Sequence, residues 1–203
     1  MTLPLRITLL VLCLSICLGG IFAVFWKQEL KYQLPTPVPT DYVSVAVGAQ
    51  VALPAALSRD KAYFLHFYNP DCPCSRFNTR HLQSLIGTYR DSISIVIVVP
   101  SEADIEKAQS EFGRELQILV DNQQAIAKGC GVYSTPQAVI VDKNQNLFYR
   151  GNYNRSRYCT ARASNFAELS LIALINRRPP PAFGLAATQS YGCELNNADL
   201  EFF

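Results

Sequence analysis

The segment Ala62-Tyr63-Phe64-Leu65-His66-Phe67-Tyr68 constrains the fold most, because it is apolar at both sets of alternating positions. A strand with one wet face alternates polar and apolar residues. A run that is apolar on both sides needs cover on both, which places it at the centre of a sheet between two layers. Asn69-Pro70-Asp71 ends the run and Cys72-Pro73-Cys74-Ser75 follows at once. Pro73 suits the first turn of a helix, where its missing N–H costs nothing. The helix is expected from Pro73 or Cys74 to about Tyr89, with Phe77, Leu82, Leu85, Ile86 and Tyr89 as an imperfect apolar stripe. A cysteine at such a helix start gains acidity from unpaired backbone N–H groups and the helix dipole. The turn that closes the central strand therefore carries two thiols under conditions that favour a thiolate.

The rest of the chain repeats the strand and helix alternation. Tyr42 to Val47 reads as a short strand, followed by a loop to about Arg59. Ser94 to Val99 is a second buried strand, and Ser101 with Asp104 resembles a capping pair opening a helix to about Phe112. Gln117 to Val120 reads as a short strand, with Asp121 as cap of a brief helix through Lys128. Gln137 to Asp142, a turn at 143–146, and Leu147 to Gly151 predict a strand, turn and strand. Ser164 is the expected cap of a last helix buried through Phe166, Leu169, Ile172 and Ile175. Strands separated by helices, then a hairpin and a helix, predict a three-layer α/β/α sandwich.

Ahead of this domain, Ile7 to Trp26 is an uncharged stretch of twenty residues. At about 1.5 Å per residue it matches a hydrocarbon core of roughly 30 Å. Ala23-Val24-Phe25 supplies no small-x-small cleavage site, so the segment reads as an uncleaved transmembrane signal anchor over 1–31. Pro35, Pro37 and Pro39 alternate with Thr36, Val38 and Thr40, the pattern of an extended linker over 32–41. The domain is expected over 42–178, with a tail over 179–203 that carries Cys193. Flanking charges leave the orientation open, but an anchor with the whole domain after it favours export: periplasmic in a bacterium, extracytoplasmic in general. Eighteen Lys and Arg against sixteen Asp and Glu leave a net charge of +2, which gives no electrostatic case for nucleic acid.

Two elements in this order resemble the thioredoxin-like superfamily, and within it the exported redoxin-type thiol:disulfide proteins. One is Phe67-Tyr68-Asn69-Pro70-Asp71-Cys72-Pro73-Cys74; the other is Gly131-Val132-Tyr133-Ser134-Thr135-Pro136-Gln137-Ala138-Val139-Ile140-Val141-Asp142. The resemblance covers about Tyr42 to Arg178. It implies a thioredoxin-like three-layer sandwich, Cys72 as the attacking sulfur, and a cis Thr135-Pro136 bond beside a groove where Thr135 and Pro136 meet a substrate's extended chain. The implied substrate is a disulfide of an exported protein, with a separate thiol-redox partner. No cofactor is needed beyond the cysteines, and no metal ligand set is assigned.

Ser75 departs from the family pattern, because it stands where the usual second cysteine would be, while an extra thiol appears at Cys74. A Cys72–Cys74 bridge would close a small, strained ring. Cys74 resolves by that route or a distant cysteine does. Cys193 is the leading distant choice, since Tyr191-Gly192-Cys193-Glu194 resembles a Gly-Cys ending of some redoxin-domain proteins. Cys130 reads as a packing or structural cysteine near the same face, and Cys159 as a member of a structural disulfide. His66 reads as a core residue and His81 as a surface one. Two rival functions use the same residues: a copper-binding or copper-delivering protein with Cys72 and Cys74 as thiolate ligands, and a non-catalytic membrane-tethered interaction module, which Ser75 would favour. The peroxidase pattern is missing, since Asn69 and Asp71 occupy the positions where a threonine or serine would precede the cysteine.

Overall fold

In the computed structural model of the 203-residue chain, residues 3–28, 34–156 and 159–195 are described. They form two compact units, divided after Leu34. The first contains one helix, α1 (Leu3–Gln28), whose apolar stretch Leu3–Lys27 has a mean hydropathy of 2.7 and is long enough to cross a membrane.

The second unit, from Pro35 onward, is the sandwich. Its strands are β1 (Tyr63–Phe67), β2 (Ser94–Val99), β3 (Gln117–Val120), β4 (Ser134–Thr135), β5 (Gln137–Val141), β6 (Leu147–Gly151) and β7 (Cys193–Glu194). Its helices are α2 (Pro73–Tyr89), α3 (Ile105–Phe112), α4 (Ala125–Cys130), α5 (Phe166–Ile175) and α6 (Leu185–Thr188). The main sheet runs in the order β3-β2-β1-β5-β6. β1 pairs in parallel with β2 and antiparallel with β5, so the doubly apolar run is the central strand. All five of its residues are buried. Phe64 faces a core shared with Leu82 and Leu85 of α2, Phe112 of α3 and Leu171 of α5. Tyr63, Leu65 and Phe67 face the other core, with Val51, Leu57 and Ile126 and Ala127 of α4. The fold is thioredoxin-like, as the resemblance implies.

Several local expectations fail for identifiable reasons. The segment 42–47 is not a strand; the neighbouring residues 48–51 instead reach the hairpin, with Gly48 N–H donating to the Leu147 carbonyl at 2.7 Å and Val51 N–H to Gln145 at 2.8 Å. Ser101 does not cap a helix, because its hydroxyl donates to the Asp104 carboxylate at 2.6 Å and a short 3-10 turn intervenes before α3. Ser164 lies in another 3-10 turn and donates to Asn154 at 2.7 Å, leaving Asn165 at the start of α5. The stripe of α5 is also displaced. A spacing of three falls behind the helix by about 60° per step, so Leu169 and Ile175 rotate outward while Phe166, Ala167, Ser170 and Leu171 are buried. Asp121 does cap α4: its two carboxylate oxygens accept from Ile126 N–H at 3.0 Å and Ala127 N–H at 2.8 Å. Removing this cap in Asp121→Ala should cost about 1–2 kcal/mol, read as a lowered urea midpoint of the full-length protein.

Candidate active site

Cys72 is the residue immediately before α2, with φ −80° and ψ 119°, and Pro73 begins the helix. The turn ahead of it is held by its own polar groups. Asp71 N–H donates to Asn69 Oδ1 at 2.9 Å and Cys72 N–H to the Asn69 carbonyl at 3.1 Å. Ser75, fully buried, accepts from Asn69 N–H at 3.4 Å through its hydroxyl. The serine in place of a second cysteine thus pins the loop that presents Cys72.

Cys72 is joined to Cys193, 121 positions away, in a disulfide with the two Cα atoms 6.0 Å apart. Cys193 arrives on β7, which pairs antiparallel with β4: Thr135 opposite Cys193 and Ser134 opposite Glu194. The Thr135-Pro136 peptide is cis. The Thr135 carbonyl oxygen lies 3.5 Å from Cys72 Sγ. Cys74 is buried on the inner face of α2 and is outside this bridge. Residues two apart at a helix start do not face one another, which separates Cys74 from the bond that Cys72 makes.

A set of contacts with no motif of their own fastens the tail. Asn152 Nδ2 donates to the carbonyls of Ala186 at 3.0 Å and Gln189 at 2.6 Å, anchoring α6 to the end of β6. Ser190 N–H donates to the Tyr133 hydroxyl at 3.3 Å, its hydroxyl pairs with Gln137, and Leu195 N–H reaches the Tyr133 carbonyl at 3.4 Å. Thr36 lies on the other side of the tail: its N–H donates to the Ser190 carbonyl at 2.8 Å and its hydroxyl to that of Gly192 at 3.3 Å. Thr36 is buried, and residues from Pro35 onward belong to the compact unit. Sequence reading missed Thr36, Tyr133, Gln137, Asn152 and Ser190. Only Tyr133 and Gln137 carried a signal, their closeness to Pro136 in the chain.

The remaining cysteines and histidines serve the core. Cys130 is fully buried beside Val132 and Ile126, and burial pushes its thiol up to about 12. Cys159 does not form the expected structural disulfide; its thiol donates to Asn78 Oδ1 at 3.1 Å, and burial raises it to about 12. His66 is fully buried, with Nδ1 2.6 Å from the Tyr153 hydroxyl. His81 is half-buried, its ring edge-on to Tyr153, and does not stand free in solvent. Among the described residues, no three His, Cys, Asp or Glu side chains converge as a metal site. Beside the disulfide lies a cleft of about 340 Å³, lined by Phe67, Tyr68, Val99, Gln124, Thr135 and Leu195.

A central parallel and antiparallel sheet, with a cysteine at the start of α2 facing a cis-proline segment, defines a thioredoxin-like protein related to the thiol-disulfide oxidoreductases. The chain belongs to the family described as a domain of unknown function (DUF6436), which matches residues 44–195. It is similar to the thiol-disulfide oxidoreductase ResA of Geobacillus thermodenitrificans (strain NG80-2), at 28% identity over 142 residues, 68% of this chain and 80% of ResA. Among solved structures it resembles an uncharacterized conserved protein from Geobacillus kaustophilus at 25% identity, with a TM-score of 0.58 over 67% of this chain and 77% of that one. A hypothetical protein from Sinorhizobium meliloti 1021 shares the fold at 20% identity, with a TM-score of 0.59 over 76% of this chain and 96% of its own.

Burial holds the His66 imidazole down to about 3 from its ordinary 6.5. Between these values the unfolded chain binds a proton that the folded one refuses. Stability is therefore full above pH 6.5 and falls on acidification by up to about 1.4 kcal/mol per pH unit, in the same direction as the lowered His81. Urea midpoints measured between pH 7 and pH 5 should fall, and His66→Gln should flatten that slope.

Proposed function

We propose that the protein is a membrane-anchored thiol:disulfide oxidoreductase that reduces disulfides of exported proteins, with Cys72 as nucleophile and Cys193 as resolving sulfur. The observation that carries this reading is the Cys72–Cys193 bridge at the start of α2. In the reduced protein, the N–H groups and dipole of a 17-residue helix favour the Cys72 thiolate. That thiolate attacks one sulfur of a substrate disulfide; a Cys72–substrate disulfide forms and the other substrate sulfur leaves, taking a proton from water. Cys193 as thiolate then attacks Cys72 Sγ, and the second substrate sulfur leaves in the same way. Two electrons have passed to the substrate, and the chain holds the Cys72–Cys193 bond. An external dithiol returns both sulfurs to the reduced state.

Thr135 and Pro136 form the wall of the substrate groove in this scheme, the Thr135 carbonyl lying against the reacting sulfur. Helix α1 holds the domain at the membrane, on the periplasmic or extracytoplasmic side. Similarity to ResA supports the reaction class.

Cys72→Ser should lower disulfide reduction by on the order of a thousandfold. Cys193→Ser should instead accumulate the mixed disulfide, seen by intact-protein mass spectrometry as the added mass of the substrate. Accumulation in Cys74→Ser but not in Cys193→Ser would transfer the resolving role to Cys74.

A further inference from the structure

The tail strand meets Cys72 in the way an incoming substrate must, and so gives a template for what the groove accepts. It is extended, antiparallel to β4, and it delivers its sulfur to Cys72 with Thr135 directly opposite. A strand that presents its own cysteine to the same sulfur along the same edge meets the same walls at each position. Directly before the cysteine, the wall is main chain. Gly192 has φ +156°, and a Cβ built on it would collide with the Thr135 carbonyl, with Ser134 Oγ next at 3.3 Å. Peptide backbone cannot swing aside as a flexible side chain would, so this position admits glycine. Two residues after the cysteine, Leu195 packs against the apolar core that contains Phe67 and Val98 and borders the 340 Å³ cleft. Cleft volume remains beside Leu195, so this position accepts a large apolar residue.

We infer that the substrates of this site are extended polypeptide segments of the form Gly-Cys-Xaa followed by a large apolar residue, seated along Ser134-Thr135 in place of the protein's own tail. This rests on the proposed role of Cys72 and adds the substrate class. It also makes tail and substrate mutually exclusive occupants of one edge. The return of β7 both resolves the mixed disulfide and displaces the product strand.

The test uses the full-length Cys193→Ser protein in detergent, with Ser-Tyr-Gly-Cys-Glu-Leu peptides whose cysteine carries a chromophoric aromatic thiol in a disulfide. Attack by the Cys72 thiolate on the peptide sulfur forms the Cys72–peptide bond and releases the coloured thiolate, whose absorbance gives the rate. The Gly-Cys-Glu-Leu peptide should react on the order of tenfold faster than versions with valine before the cysteine or aspartate in place of the leucine. Equal rates for all three overturn the inference. The symmetrical disulfide of the same aromatic thiol, which needs no groove, separates the two readings. If it labels Cys72 while the peptides show no preference, the substrate class falls and the nucleophile stands; if it fails too, the role of Cys72 falls with it. A second variant tests the template inside the chain: Gly192→Val should slow closure of the Cys72–Cys193 bond on the order of tenfold, and unchanged closure overturns the steric argument.

Discussion

The burial of β1 on both faces is the constraint from which the remainder follows. Phe64 and His66 require the layer built by α2, α3 and α5, while Tyr63, Leu65 and Phe67 require the layer built by α4 and residues 45–57. With both faces covered and both edges paired, to β2 and β5, the strand can end only at the rim of the sheet. Its last turn must pass directly into α2, and Cys72 occupies that junction. The meeting of Cys72 with a helix N-terminus at the rim is thus a consequence of how the core is closed.

The same rim receives the cis-proline segment, because β5 is the other neighbour of β1 and begins at Gln137. Ser134 and Thr135 lie just before it and form a short strand edge with which a second strand pairs. Here the occupant is the chain's own tail. Short edges of this kind bind extended segments through main-chain hydrogen bonds, while side-chain discrimination comes from the walls. Thr36, Tyr133, Gln137 and Asn152 hold the tail in register from three separate parts of the chain.

The polar interior has a similar logic. His66 sits in a strand that would otherwise be wholly apolar, and its bond to Tyr153 satisfies one ring nitrogen among aromatic neighbours. Asn78, on the buried face of α2, pairs with Cys159. Burial keeps the His66, Tyr153 and Cys159 side chains neutral.

Period-two and helical patterns in the sequence located the central strand, α2, β2, β3 and the β5–β6 hairpin, since each is a local consequence of which residues must avoid water. The helix starts at Ser101 and Ser164 were misread because a serine hydroxyl bonds equally well to a side chain, and only the surroundings decide which acceptor is nearer. The stripe of α5 was misread because a spacing of three drifts around a helix whose turn is 3.6 residues.

What the sequence determined by itself is the thioredoxin-like sandwich, an apolar helix long enough for a membrane, and a cysteine at the head of α2. Which sulfur joins Cys72 was decided only by the tertiary structure. A bond across 121 residues depends on where the chain returns after α5, and that return is set by scattered contacts of the Asn152, Tyr133 and Thr36 side chains with the tail's backbone. On the tail's side such contacts use backbone groups that every residue carries, and the side chains that meet them lie far apart in the chain, so they leave no local pattern to read.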